Sequence, residues 1–142
     1  MYPFYLELEL IKPVSEYLKK QGYNVYTEVN IGFHRADLLG LKCDEVVAVE
    51  LKLTDWKKAI IQAKNYMLGA DYVYLAVPLL KSYNILRKAE YFLKKEGIGF
   101  LVTNEKTSNV SEIIKPLKSK RKIASITKKE ITKLKRSRVK VL

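Results

Sequence analysis

The chain has 142 residues, of which 48% are hydrophobic, and it carries a formal net charge of +12. This length favours one domain with a substantial core, and no stretch approaches the ~20 continuous apolar residues of a membrane span. A single cysteine, Cys43, excludes an intramolecular disulfide framework and a cysteine-based zinc cluster. Because the first residues lack the layout of a signal peptide, we expect an intracellular, cytoplasmic protein.

A first helix is predicted over residues 4–21, because apolar residues recur at helical spacing from Leu6 to Leu18. Pro13 is awkward inside a helix, so it either kinks this one or marks where its regular part begins. Gly22 follows and suits the C-cap position. We therefore expect one amphipathic helix, with several acidic and basic side chains on its polar faces, before the first strand.

Three strands are predicted next. Residues 23–31 alternate between apolar and polar side chains, which is typical of a half-exposed strand. Residues 36–41 and 46–53 are mainly apolar and predict two more buried strands. Because the connections between these strands are short, they predict an antiparallel meander. Such a meander brings Asp37 on the second strand alongside Glu50 on the third.

The following region predicts alternating helices and strands, in the order helix 56–68, strand 71–78, helix 82–96 and strand 98–103. Thr54 or Asp55 can cap the first of these helices, and Ser82 or Asn84 can start the second. Strands that are joined through helices pair in parallel, so the sheet is expected to be mixed. A further edge strand is expected over residues 110–114.

The excess positive charge lies at the C-terminus. Residues 115–142 hold 12 basic residues and one acid, Glu130, whereas residues 1–114 hold 15 basic and 14 acidic residues. Such a block favours a polyanionic partner, nucleic acid above all, because neutralising phosphates releases counterions. The alternative is a solvated, partly disordered tail. We divide the chain into a domain over residues 1–114 and a basic extension over residues 115–142.

One part of this basic extension has the pattern of a helix start. Thr127 and Glu130 match a capping box, and Ile126 with Ile131 matches the hydrophobic staple that often accompanies it. This pattern predicts a short helix that ends near Arg136. The basic extension is therefore expected to contain at least one ordered element rather than to be irregular throughout.

Glu50 and Lys52 are two charged residues in an otherwise apolar strand. Side chains alternate along a strand, so both point to the same side of the sheet. Burying charge is costly unless it is paired or used. Asp37 and Glu50 on neighbouring strands can share one Mg²⁺, with the backbone carbonyl of Leu51 as a further oxygen ligand. Lys52 can orient or deprotonate a metal-bound water, or stabilise charge on the phosphoryl group.

Less specific interpretations compete with this one. Glu50 and Lys52 could be an ordinary ion pair on an exposed sheet face, and such pairs contribute little to stability. Asp37 could be a turn residue near Gly40. The dense apolar flanks of all three charged residues favour the catalytic interpretation over both alternatives.

These motifs carry a family resemblance. Ala36-Asp37 and Glu50-Leu51-Lys52, after a helix with an acidic residue, resemble the PD-(D/E)xK nuclease superfamily, which includes type II restriction endonucleases and archaeal Holliday-junction resolvases. The segment from Glu9 to Val14 also resembles a prokaryotic branch of phosphodiesterases in that superfamily. The resemblance covers about residues 5–103. Ala36 stands where the first motif commonly has a proline.

The resemblance implies an α/β fold with a restriction-endonuclease-like α-β-β-β-α-β core, in which helices flank a mixed central sheet. It also implies that Asp37 and Glu50 bind Mg²⁺, for which Mn²⁺ is a possible substitute, and that Lys52 is the catalytic lysine. Gln62 lies on the helix after the catalytic strand, where many members carry a glutamine that faces the site. The resemblance further implies an acid on the first helix as a metal ligand: Glu9 by position, with Glu7 and Glu16 as alternatives.

We therefore expect a Mg²⁺-dependent DNA endonuclease, possible as a homodimer, that hydrolyses phosphodiester bonds with a metal-activated water. The alternative is a catalytically silent nucleic-acid-binding protein with the same fold. The expected contacts to nucleic acid are basic residues of the turn before Asp37, of the second helix and of the tail: Arg35, Lys58, Lys118, Lys120, Arg121 and Lys122. No membrane contact is expected.

Overall fold

The computed structural model describes residue 4 and residues 6–136. It contains a short 3₁₀ helix at Glu7–Leu10 and, in chain order, α1 (Ile11–Lys20), β1 (Asn24–Ile31), β2 (His34–Lys42), β3 (Glu45–Leu51), α2 (Trp56–Tyr66), β4 (Tyr72–Pro78), α3 (Leu79–Glu96), β5 (Gly99–Thr103), β6 (Val110–Ile114) and α4 (Ala124–Arg136). This order contains the predicted α-β-β-β-α-β core. Among the described helices, none is both long and apolar enough to cross a membrane.

All six strands form one mixed sheet in which the spatial order follows the sequence. The first three strands are antiparallel, β3, β4 and β5 are parallel, and β6 is antiparallel to β5. Leu38 on β2 pairs with Val49 on β3. One pair further along the same register, Asp37 falls opposite Glu50, which confirms the predicted neighbourhood of the two acids.

Helices cover both faces of the sheet. On one face, Leu10 of the 3₁₀ helix and Val14 and Leu18 of α1 share an apolar cluster with alternate residues of β3, including Val49 and Leu51. On the other face, α2, α3 and α4 contribute to a second apolar cluster that includes Val46 and Ala48 of β3. β3 is therefore buried on both sides, which explains its nearly continuous apolar sequence.

The first helix begins later than predicted. Glu7–Leu10 forms a single 3₁₀ turn, and the regular helix starts at Ile11. Pro13 therefore lies in the first turn of α1, where a backbone N–H would have no partner within the helix. Of the two predicted roles, Pro13 thus marks the start of the regular helix.

The start of α3 differs from the sequence prediction. The helix begins at Leu79, directly after Pro78, and not at Ser82 or Asn84. The carboxylate of Glu105 accepts hydrogen bonds from the backbone N–H of Leu80 at 3.2 and 3.3 Å. This cap comes from 25 residues further along the chain, so no local pattern could reveal it.

The predicted tail helix is present, but the predicted capping box of Thr127 and Glu130 is wrong. α4 begins at Ala124, and Thr127 lies inside it. Because it is the fourth residue of α4, Thr127 cannot be the N-cap, and its hydroxyl instead donates a hydrogen bond to the backbone oxygen of Gly69 at 3.1 Å. Glu130 and Leu134 are buried with Thr127, which places one face of α4 against the rest of the protein.

The chain before α4 also packs on the domain, where it meets the end of α2. The hydroxyl of Ser119 donates to the backbone oxygen of Met67 at 2.8 Å, and the N–H of Ile123 donates to that of Leu68 at 2.8 Å. A helix leaves its last carbonyls without partners inside the helix. The tail thus supplies donors to three successive carbonyls, of Met67, Leu68 and Gly69, beyond the end of α2. Residues 137–142 of the predicted extension lie outside the described residues.

Candidate active site

Asp37 and Glu50 meet where β2 and β3 lie side by side. Oδ2 of Asp37 accepts a hydrogen bond from the backbone N–H of Leu51 at 2.8 Å. Glu50 is only 2% exposed, although a glutamate side chain in water is charged at neutral pH. Asp37 is half-buried. Two carboxylates on adjacent strands are thus held together in a largely desolvated place.

Glu50 is held by a tyrosine from the next helix. The hydroxyl of Tyr66 on α2 donates a hydrogen bond to Oε1 of Glu50 at 2.5 Å. Burial, together with the negative charge of Asp37, raises the pKa of Glu50 to about 7. The Tyr66 hydrogen bond and the positive charge of Lys52 act in the opposite direction. Glu50 is therefore poised to titrate near neutral pH.

Asp37 is perturbed in the same direction. Burial is the main cause that raises its pKa, while the Leu51 N–H, a hydrogen bond with Glu50 and the Lys52 charge oppose this rise. A neighbouring pair of desolvated carboxylates holds excess negative charge, and a divalent cation would relieve it.

The donor set therefore fits Mg²⁺. Two carboxylates and one backbone carbonyl are hard oxygen ligands, and Mg²⁺ keeps several waters as its remaining ligands. Asp37, Glu50 and the carbonyl of Leu51 are the residues that would hold the ion. Within residues 6–136, no group of three or more His, Cys, Asp or Glu side chains is placed to hold a metal.

Lys52 lies at the edge of this carboxylate pair. Its Nζ is 3.5 Å from Oε2 of Glu50 and 3.9 Å from Oε1 of Glu7. The Lys52 side chain is 12% exposed, so its ammonium group sits in a partly desolvated position. An ammonium group held between Glu7 and Glu50 can donate a hydrogen bond to a phosphate that binds beside these two acids.

The acids of the first helical segment differ in their contacts. Oε1 of Glu9 accepts a hydrogen bond from the backbone N–H of Leu6 at 2.9 Å, which caps the 3₁₀ turn. Glu7 is the acid that the structure places near Lys52, and Glu16 is exposed on α1. The metal-binding role of Glu9 stays a prediction.

Gln62 occupies a special position on α2, one turn before Tyr66. Its side-chain oxygen is buried, and it has no hydrogen-bond partner within the described chain. Buried polar atoms are nearly always paired with protein or water. A water or a ligand group beside Gln62 would satisfy this oxygen, so the residue is suited to the predicted site-facing role.

The predicted basic contacts fall into two groups. Arg121 and Lys122 are engaged within the protein: Arg121 Nη2 lies 3.0 Å from Glu96 Oε1, and Lys122 Nζ lies 2.7 Å from Asp71 Oδ1. All six are exposed, and four form no ion pair among those of the described chain: Arg35, Lys58, Lys118 and Lys120. Within the described chain, the Arg35 side chain makes one long hydrogen bond, in which Nε donates to Asn30 Oδ1 at 3.5 Å.

Sequence reasoning missed two residues near the site. Tyr66 shares a helix face with Gln62 by its spacing, but its bond to Glu50 needs the packing of α2 on β3. Phe33, in the turn between β1 and β2, is fully exposed at 104% of its reference area. The sequence signal for such a tight turn is a two-residue connection between strands that begins with glycine.

No protein-family model matches this sequence, and no curated protein matches it. Among solved structures, an XisH family protein from Nostoc punctiforme matches with a TM-score of 0.55 and 19% identity, over 75% of this chain and 96% of that chain. An FdxN element excision controlling factor protein from Anabaena variabilis matches with a TM-score of 0.55 and 20% identity, over 73% of this chain and 97% of that chain. These likenesses show the fold: an α/β fold with a six-stranded mixed sheet flanked by helices.

Proposed function

We propose that this protein is a Mg²⁺-dependent nuclease that hydrolyses phosphodiester bonds in DNA. The observation that carries the proposal is the convergence of Asp37 on β2 with Glu50 and Lys52 at the C-terminal end of β3. Lys52 Nζ lies 3.5 Å from Glu50, and Asp37 is bonded to the backbone of Leu51 between them. The proposed chemistry uses two carboxylates as metal ligands and one ammonium group that stabilises negative charge on the phosphate.

Asp37, Glu50 and the carbonyl of Leu51 would hold the ion. Bound Mg²⁺ supplies a water of lowered pKa and polarises a phosphoryl oxygen. Lys52 donates N–H groups to the phosphate oxygens on which negative charge develops. Tyr66 keeps the Glu50 carboxylate in one orientation, and Gln62 offers a buried acceptor for a water of the site.

The charge distribution supports a nucleic-acid substrate. The exposed lysines of the tail, Lys118 and Lys120 among them, add positive charge to a body that is otherwise nearly neutral. One structural neighbour is named as an element excision controlling factor, which is compatible with action on DNA. We expect cleavage of both strands of a duplex to require two copies of this chain.

The test is cleavage of labelled single-stranded, duplex, flap and four-way-junction DNA with Mg²⁺, Mn²⁺ or EDTA. Wild-type protein should cut at least one substrate with either ion and none with EDTA. Lys52→Ala and Asp37→Asn should lower the rate by at least 100-fold, while binding is retained. Lys88→Ala, which removes an exposed lysine from α3, is the matched control and should cut normally. Equal cutting by Lys52→Ala would overturn the proposed role.

A second candidate is a nucleic-acid-binding protein that has this fold without the activity. It is favoured by the absence of a cluster of three metal-binding side chains in residues 6–136. The two candidates differ in their response to metal. A Mn²⁺ titration that shows one bound ion in the wild type, but none in Asp37→Ala, supports the enzyme. If no substrate is cut and no ion binds, the second candidate is correct.

A further inference from the structure

The turn between β1 and β2 presents an aromatic side chain to solvent. Ile31 pairs with His34, so Gly32 and Phe33 alone form the turn. Gly32 has a φ of +60° whereas Phe33 is not among the residues of positive φ, and a positive φ at the first central residue alone is what a type II′ turn needs. Phe33 is fully exposed. A tight turn thus holds a large apolar group out in water, where it loses the benefit of burial.

This turn is connected to the candidate active site through β2. Arg35 lies two residues after Phe33, and its backbone oxygen accepts a hydrogen bond from Tyr66 at 2.8 Å. The same Tyr66 hydroxyl binds Glu50. Asp37 follows Phe33 by four residues, roughly 13 Å along an extended strand. A polymer that lies across Asp37 and Glu50 can therefore reach Phe33 within a few monomer units.

Basic residues flank the turn in β2 and lie on the helix packed beside it. Arg35 is exposed on β2. A side chain added at Gly32 would have Ile126 of α4 as its near neighbour, at 4.0 Å, so the basic helix packs beside the turn. The outer face of α4 exposes Lys128 and Lys129. An exposed apolar group near basic residues suits a ligand that combines flat rings with negative charge.

We propose that Phe33 is a wedge that stacks on, and separates, neighbouring bases of the nucleic acid bound at the active site. The inference rests on the proposed function for the identity of the partner, and it adds how that partner is deformed. Apolar wedges of this kind unstack base steps and kink the duplex. A second copy of this chain is a poorer occupant, because symmetric contact would bring Arg35 and the α4 lysines of both copies together.

The test uses duplex and four-way-junction DNA in which 2-aminopurine replaces successive bases. Its fluorescence is quenched by stacking and rises on unstacking. Measurements with Lys52→Ala protein in Mg²⁺ avoid cleavage during the titration. We expect a rise at one or two neighbouring positions. Adding Phe33→Ala should abolish the rise and weaken binding roughly 5- to 100-fold, whereas Phe33→Trp should preserve both. Tyr91→Ala, which removes an exposed aromatic side chain from α3, is the matched control.

The outcomes separate this inference from the proposed function. If wild-type protein cuts DNA but Phe33→Ala neither lowers the fluorescence rise nor weakens binding, the wedge is overturned and the nuclease stands. If the rise depends on Phe33 but no substrate is cut, the wedge stands and the nuclease falls. The wedge is also overturned if no position brightens, or if light scattering shows that Phe33→Ala only breaks a dimer.

Discussion

Tyr66 places its hydroxyl 2.5 Å from Oε1 of Glu50 and 2.8 Å from the backbone oxygen of Arg35. One phenolic hydrogen thus serves two acceptors on two adjacent strands. When Glu50 is protonated, its carboxyl can donate to Tyr66 while Tyr66 donates to Arg35. When Glu50 is ionised, Tyr66 donates to the carboxylate. Both protonation states of Glu50 are therefore accommodated without movement of the backbone.

Tyr66→Phe should weaken metal binding near neutral pH. The Tyr66 hydrogen bond lowers the pKa of Glu50, so its loss leaves a larger fraction of Glu50 protonated and unable to bind a cation. We expect about 3- to 10-fold weaker Mg²⁺ binding at pH 7, as for the loss of one hydrogen bond, and a smaller loss at pH 9. Calorimetric titration at both pH values measures this.

Tyr74→Phe is the control for that experiment, because Tyr74 donates a similar bond to Glu112 on the opposite face of the sheet. It should leave Mg²⁺ affinity unchanged. Equal losses in the two variants would mean that the effect of Tyr66→Phe comes from general loosening of the fold.

Glu50 should make the metal-free protein less stable as pH rises. Its pKa is about 7 in the folded protein against an ordinary value of 4.5. Between these values the folded state binds more protons than the unfolded state. The free energy of unfolding therefore falls as pH rises from about 4.5 to about 7, and stays lowered above that range.

Glu50→Gln removes this titration and should flatten the pH profile. At pH 8 in EDTA, we expect the variant to be more stable than wild type by about 2 kcal/mol. Urea unfolding at pH 5, 6, 7 and 8 measures the profile. Glu90→Gln, at an exposed position on α3, should show the same dependence of the free energy of unfolding on pH as the wild type. A Glu50→Gln profile with the wild-type slope would contradict the assignment of this slope to Glu50.

Asp71 should be more important for stability than the lysine that it binds. Its buried carboxylate accepts from the N–H of Val46 at 2.8 Å and from Lys122 Nζ at 2.7 Å. Asp71→Ala removes both bonds and leaves a buried N–H unpaired, so we expect a loss of about 2–3 kcal/mol. Lys122→Ala should lose about 1 kcal/mol or less, because its ammonium is partly solvated. Urea unfolding of both variants, with the exposed Lys118→Ala as control, tests this order.

Gly69→Ala should loosen the contact between the tail and the body. A Cβ at Gly69 would overlap Cγ2 of Ile31 and lie 3.1 Å from Cγ2 of Ile126. We expect a loss of about 1–3 kcal/mol from overpacking. The double variant Gly69→Ala/Ile31→Ala should be less destabilised than the sum of the single variants, because the second change removes the overlap. Strict additivity in urea unfolding would show that this overlap does not occur.

The sheet around the site could be predicted from the sequence because two local rules determine it. Period-two alternation assigns Glu50 and its neighbours to faces, and short turns fix the antiparallel register. Asp37 and Glu50 could therefore be placed together from the order and spacing of the strands. The cap of Leu80 by Glu105 and the bond of Thr127 to Gly69 could not be predicted, since both join segments that are distant in sequence.

The same distinction applies to the site. The charged pair Glu50 and Lys52 stands out in an apolar strand, so its chemistry could be inferred. The contribution of Tyr66 depends on how α2 lies over β3, and the exposure of Phe33 depends on the turn that carries it. The spacing of α2 and the glycine before Phe33 indicate a helix face and a tight turn, but neither reveals the bond to Glu50 or the exposed ring, because tyrosine and phenylalanine are ordinary core residues at most positions.

The donors that the tail gives to the end of α2 bear on how the protein unfolds. Tyr66 is the last residue of α2, and the carbonyls just beyond it are bonded by Ser119, Ile123 and Thr127. The segment that carries most of the net charge therefore also terminates the helix that orients Glu50. Loss of the tail should fray this helix end first. Melting of the cationic segment and collapse of the candidate active site are then expected to be one cooperative event, visible as coincident transitions by separate probes.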